Sequence, residues 1–155
     1  MNQSDQEAVQ MLKNNKYFFI PVVNADGLAL IEEDHLMNPK TTGILDKRKN
    51  MGPNGGGDEC KGPTEYGVDL NRNYGIDWKL NLAEHETKCS EYYAGPEPFS
   101  EKETQAIRNF MESHQDEVRF VINFHSNGNS FMWPFNGRSP NDIEKRAPGV
   151  LPIMT

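Results

Sequence analysis

At 155 residues the chain is long enough for one domain that covers roughly two-thirds of its unfolded surface. An apolar content of 35% and a mean hydropathy of -0.77 suit a loop-rich piece more than a large self-sufficient core. Acidic residues outnumber basic ones 23 to 16, for a net charge of -7, which with no basic stripe speaks against a nucleic-acid partner, and no apolar run approaches the roughly 20 residues that span a bilayer.

The start, from Met1 to Glu7, is polar and acidic and does not read as a signal peptide. Ser4 and Glu7 have capping-box spacing, and Ala8, Val9, Met11 and Leu12 give one apolar side to a helix ending near Asn14. The apolar run Tyr17 to Val23 predicts a buried strand. Asn24-Ala25-Asp26-Gly27 then predicts a turn with Gly27 at positive φ, followed by a short extended or helical piece from Leu28 to Ile31.

Residues 38 to 65 are rich in Gly, Pro, Lys and Asn around the Gly55-Gly56-Gly57 triplet and read as a loop; a second irregular stretch covers 74 to 98. Two loops this long in one small domain count against a fold assignment unless they are binding loops. Ser100 and Glu103 repeat the capping-box spacing ahead of a helical face made by Ala106, Ile107, Phe110 and Met111. Val118 to Phe124 predicts a second strand. The order helix, strand, loops, helix, strand indicates an α/β fold.

Two groups carry chemistry. Arg72, between Asn71 and Asn73, presents a planar fork that matches a carboxylate, each charge-assisted bond contributing about 1.5–3 kcal/mol. The competing reading is a structural arginine that ties down the following loop. His125 closes the second apolar run ahead of Ser126, where ligands gather in open α/β sheets. As a lone imidazole it reads equally as an ordinary packed or surface residue. The H-x-x-E spacing of His114 and Glu117 cannot share an ion with His125, because seven extended residues separate them by roughly 20 Å; His114 instead suits the negative end of its helix. His35 and His85 read as solvated, Trp78 and Trp133 as packing residues, and Lys47-Arg48-Lys49 as a solvated loop. Cys60 and Cys89, outside any C-x-x-C pair, are either free thiols or a disulfide, the latter contributing roughly 3–4 kcal/mol in an oxidising compartment.

Asn24-Ala25-Asp26-Gly27, Lys47 to Asn50, Gly67-Val68-Asp69-Leu70-Asn71-Arg72-Asn73, Cys89-Ser90-Glu91 and Phe124-His125-Ser126 occur in one order that resembles the zinc metallocarboxypeptidases of the carboxypeptidase A and B type. The likeness covers about 17 to 135, the middle part of that family's catalytic domain, and leaves 136 to 155 as a tail. It implies the central part of a mixed-sheet α/β/α domain, truncated at both ends. It implies that Asn71 and Arg72 hold the C-terminal carboxylate of a peptide substrate, with Ser126 also at the substrate. His125 becomes one ligand of a Zn2+ whose other ligands lie upstream. Asp69 becomes a carboxylate that orients another zinc-bound histidine. Cys60 and Cys89 become the family's disulfide, which favours an extracellular or secretory location for the full-length protein. Where the family pattern places an oxyanion arginine this chain has Met51, leaving Arg48 as a substitute. The implied chemistry is zinc-dependent release of C-terminal residues, with this chain incomplete and inactive alone. The alternative is a non-catalytic module that captures peptide C-termini; a zinc hydrolase of small amides fits the motif order less well.

Overall fold

The computed structural model describes residues 3–38, 46–78, 83–132 and 145. They fall into two units, Met1–Val118 and Arg119–Thr155, each of which is described by itself.

Three helices belong to the first unit: α1 (Gln3–Asn14), α2 (Ala25–Met37) and α3 (Lys102–Ser113). The α1 helix ends where its apolar periodicity does, although Met11 and Leu12 stay exposed. The α2 helix starts where a turn is predicted. The Asn24 side chain accepts from the backbone N–H of Gly27 at 3.0 Å, so this segment caps a helix instead of reversing the chain. Gly27 has no positive φ. Its value is spatial, because a Cβ there would lie 2.4 Å from the Asn24 amide. The short piece expected after it is a helix of 13 residues.

The α3 helix is capped at Glu101, one residue after the expected Ser100, and without a side-chain cap bond. Ser100 is engaged elsewhere, donating to Glu101 Oε1 at 2.7 Å and accepting from Asn73 Nδ2. His114 stands at the C-cap, its Nδ1 at 2.9 Å from the Phe110 carbonyl, as the helix-end reading expects. Glu117 is paired with Lys16 at 2.9 Å, so the His114–Glu117 spacing serves no metal.

Neither predicted strand is formed among the described residues. No described segment forms a strand; the run from Tyr17 to Val23 lies outside any helix and is exposed, Phe19 at 82%. Phe18 meets the rings of Phe110 and His114 edge-on at 5.1 and 5.0 Å, while Tyr17 and Phe19 stack on each other at 6.4 Å. In the second unit Phe120, Val121, Ile122 and Phe124 are likewise exposed. A strand is completed by the N–H and C=O groups of a neighbour, and the apolar pattern records only that a neighbour is wanted.

The core of the first unit is small and made of loops. Cys60, Val68, Leu70, Tyr93 and Ala94 form its apolar part. Polar groups do most of the filling, with Asn50, Asp69, Asn73 and Thr104 almost fully enclosed beside them. Residues 39–45, 79–82 and Trp133 lie outside the described residues, so the parts of the two predicted loops that fall there, and the packing role of Trp133, are not addressed.

Candidate functional site

The G-V-D-L-N-R-N segment is held from both sides before it presents anything. Asn50 and Val68 exchange two bonds, backbone N–H to carbonyl at 3.0 Å and Val68 N–H to Asn50 Oδ1 at 2.8 Å. Gly67 sits at φ +87°, and a Cβ on it would stand 1.9 Å from the Asn50 carbonyl oxygen, so only glycine fits. Residues Leu70–Arg72 then form one 3-10 turn. Asp69 caps it, its Oδ1 accepting from the Asn71 N–H at 3.0 Å. Asn73 closes it, fully buried, with Nδ2 donating to the carbonyls of Ala94 and Glu97 and to Ser100 Oγ. Its Oδ1 accepts from Thr104 Oγ1 at 2.7 Å and the Glu101 N–H at 3.2 Å.

That frame fixes the turn from which Asn71 and Arg72 extend. Asn71 is exposed and Arg72 half-buried. The only hydrogen bond of the Arg72 guanidinium among the described residues is a local one to the Asn71 carbonyl at 3.3 Å, and no described carboxylate pairs with it. Asp69, which caps the same turn, is engaged by another arginine, its Oδ2 accepting from Arg48 Nε at 2.8 Å. Asp69 is 2% exposed, so this is a buried carboxylate with a partly exposed arginine. Arg48 and Arg72 both lie over the Tyr92 ring, 5.4 and 5.6 Å from its centroid.

The basic run is corrected from a solvated loop to a buried one. Lys47 Nζ donates to the carbonyls of Pro63, at 2.8 Å, and Tyr66; Lys49 Nζ donates to those of Lys88, at 2.6 Å, and Glu65. Two ammonium groups thus replace secondary structure by gathering four loop carbonyls. Burial pushes both down to about 8: for Lys47 the charge of Lys49 adds to the effect, and for Lys49 the charges of Asp69 and Glu65 oppose it. The carbonyls of Arg48 and Lys49 accept from the Asn24 side chain at 3.3 and 3.2 Å, which ties this loop to the start of α2. Met51 is 40% exposed, so the position where the family pattern carries an arginine is open to solvent.

His85 is corrected as well. It lies in a 3-10 turn, Ala83–His85, and is 8% exposed, with no described partner for Nε2. Burial lowers its basicity and the Arg72 charge lowers it further, against the opposite pull of Glu84 and Asp69. His35, in the last turn of α2, is exposed as expected. Trp78 is half-buried and donates to the Ala94 carbonyl at 3.0 Å, in keeping with a packing role.

Cys60 and Cys89 are joined, with 5.3 Å between their Cα atoms. Among the described residues the one group of three metal-type donors is Glu59 with these same cysteines, and sulfurs bound to each other are not thiolate ligands. The described residues therefore assemble no zinc site. His125 and Ser126 belong to the second unit and are exposed.

Sequence reasoning isolated Arg72, Asn71 and Asp69, took His85 and the two lysines for solvated residues, and missed Tyr92. The signal for Tyr92 was its place three residues after a cysteine, in a turn where Ser90 Oγ accepts from the Tyr92 N–H at 3.1 Å.

Comparison with known proteins bears on what this arrangement is. The chain is 31% identical over 126 residues to the mast cell carboxypeptidase A of Homo sapiens, covering 81% of this chain and 26% of that protein. It is 31% identical to the carboxypeptidase B of Astacus astacus, covering 85% of this chain and 39% of the relative. A metallocarboxypeptidase A-like protein of Trichophyton verrucosum is 32% identical over 145 residues, 89% of this chain and 30% of the relative. The chain thus spans between a quarter and two-fifths of the length of these relatives. The family described as zinc carboxypeptidase matches residues 1–148, and the chain belongs to it.

Proposed function

We propose that this chain supplies the carboxylate grip of a zinc-dependent metallocarboxypeptidase, the part that recognises the free C-terminus of a peptide or protein substrate. Asn71 and Arg72 hold the terminal carboxylate. The observation that carries this reading is the asymmetry between neighbouring arginines: Arg48 is matched by buried Asp69, while Arg72 keeps its fork for an anion from outside. A planar guanidinium accepts a carboxylate through two parallel bonds, and an exposed amide beside it adds a third donor.

The remaining assignments follow the family. His125 is one of the ligands of the family's zinc, Ser126 lies beside the substrate, and the other ligands come from outside these 155 residues. Asp69 orients a zinc-bound histidine with lone pairs left over from its bonds to Arg48 and Asn71. Arg48 stands near the developing oxyanion through its two terminal nitrogens, since Nε is engaged. In the full protein the two exposed apolar runs are strands of a mixed α/β/α sheet. One imidazole holds zinc weakly, so this chain alone does not turn over substrate. The Cys60–Cys89 bridge favours an extracellular or secretory location.

The test compares acetylated tetra-alanine with a free carboxylate against the same peptide ending in an amide, titrated into this chain. The free acid is expected to bind at least tenfold more tightly, and Arg72→Ala to remove the difference. Equal affinity for acid and amide refutes the grip. Release of terminal alanine by the chain with added zinc refutes the claim that it is inactive alone. A module that only captures peptide C-termini, the second reading, is favoured if a longer chain with the family's zinc ligands still releases none.

A further inference from the structure

We propose that Tyr92 is a positioning residue for Arg72, the aromatic plate that aims its guanidinium at the bound carboxylate; the proposal rests on the grip described above. An arginine side chain with only a 3.3 Å local hydrogen bond keeps most of its rotamer freedom, and freezing that freedom opposes binding. Something has to confine it in advance. The Tyr92 ring, 5.6 Å from Arg72 Cζ, is the contact available to do so.

The ring is itself fixed from two directions. Its backbone follows the disulfide at Cys89, with the Ser90 N–H bonded to the Thr87 carbonyl at 2.9 Å and the Tyr92 N–H to Ser90 Oγ. Arg48 lies over the same ring at 5.4 Å and is anchored by the buried Asp69 carboxylate. Support therefore runs from Asp69 to Arg48, to Tyr92, to Arg72, and Asp69 also caps the turn from which Arg72 projects. The two guanidinium carbons stand no farther apart than about 11 Å, the limit set by their distances to one ring.

A guanidinium that lies flat on an aromatic face leaves its N–H donors, which lie in its own plane, unspent, and this is the arrangement proposed for Arg72 on Tyr92. A carboxylate binds in that plane. Ring and ligand therefore do not compete for Arg72. Two guanidinium groups share one ring, and among the described ion pairs only Arg48 has a carboxylate partner, which leaves Arg72 to take one from a substrate.

The experiment measures affinity of the chain for acetylated tetra-alanine by chemical-shift titration, in the unsubstituted form and in Tyr92→Phe, Tyr92→Leu, Arg72→Ala and the Tyr92→Leu/Arg72→Ala double variant. Tyr92→Leu is expected to weaken binding about five- to tenfold, within the range of a cation–aromatic contact. Tyr92→Phe restores affinity to within twofold. In the Arg72→Ala background, Tyr92→Leu changes the residual affinity less than twofold, because its effect passes through Arg72. An unchanged affinity in Tyr92→Leu, or the same fold-loss with and without Arg72, overturns the proposal while leaving the grip intact. If Arg72→Ala binds as tightly as the unsubstituted chain, the grip fails and Tyr92 falls with it. Should Tyr92→Leu not fold, the Arg72 Nε–H resonance decides: a ring-current displacement that persists in Tyr92→Phe supports the plate, and its absence in the unsubstituted chain overturns it.

Discussion

Replacing Asp69 separates the two tasks of one buried carboxylate. Oδ2 accepts from Arg48 Nε at 2.8 Å and Oδ1 caps the Leu70–Arg72 turn through the Asn71 N–H at 3.0 Å. Asparagine keeps an oxygen for the cap and loses the charge; alanine loses both. A charge-assisted bond contributes about 1.5–3 kcal/mol and a cap about 1 kcal/mol. Arg48 is a quarter exposed and recovers some hydration when its partner goes, which places Asp69→Asn near the lower end, about 1.5–2 kcal/mol. Asp69→Ala is then expected to cost about 2.5–3 kcal/mol. Asp69 also favours the charged form of Lys49, so either substitution pushes that lysine further below about 8. Urea unfolding at pH 7 followed by circular dichroism reads the difference, and for a chain of this size each kcal/mol moves the melting midpoint by about 2–4 °C. If both variants unfold within 0.5 kcal/mol of the unsubstituted chain, the carboxylate is not an organising group. If asparagine costs as much as alanine, the cap contributes nothing.

Gly67→Ala, with positive φ and a Cβ 1.9 Å from the Asn50 oxygen, is expected to destabilise by about 2–4 kcal/mol in thermal melts, whereas Gly62→Ala, which meets nothing within 4 Å, changes stability by less than about 0.5 kcal/mol. The basicity of His85 is lowered from 6.5, so the unfolded chain binds the extra proton and stability falls as pH drops below 6.5; His85→Gln flattens that dependence in urea melts at pH 5 and 7. Lys47 and Lys49 work at the other end. Their value near 8 against an ordinary 10.5 means that the unfolded chain holds more protons between those limits, so their contribution to stability rises from pH 8 to 10.5, and Lys49→Met reduces the rise. Reduction of the Cys60–Cys89 bridge is expected to lower stability by about 3–4 kcal/mol, measured by urea unfolding with and without dithiothreitol.

What the sequence disclosed depended on how local the cause was. The α1 helix and the apolar face of α3 follow from periodicity within a dozen residues, and both were legible. Arg72 was singled out by its two flanking amides, and its guanidinium has no carboxylate partner among the described residues. The α2 start was misread because Asp26-Gly27 is a strong turn signal, while the competing cap by Asn24 depends on a close approach that only the folded chain shows. Tyr17 to Val23 and Val118 to Phe124 read as strands, yet pairing belongs to two segments and cannot be seen in one. Lys47 and Lys49 read as solvated because lysines usually are; their burial depends on four carbonyls contributed by residues 16 to 39 positions away. His85 read as solvated for the same reason, since nothing near it in sequence announces its enclosure.

Asn73 has a bearing on how such a protein can change over generations. Its amide saturates five neighbours inside the molecule, so almost no other side chain can occupy that position. The two residues just before it project outward and contribute little to that interior lattice. A lineage can therefore exchange the chemistry at 71 and 72 while the architecture beneath stays the same.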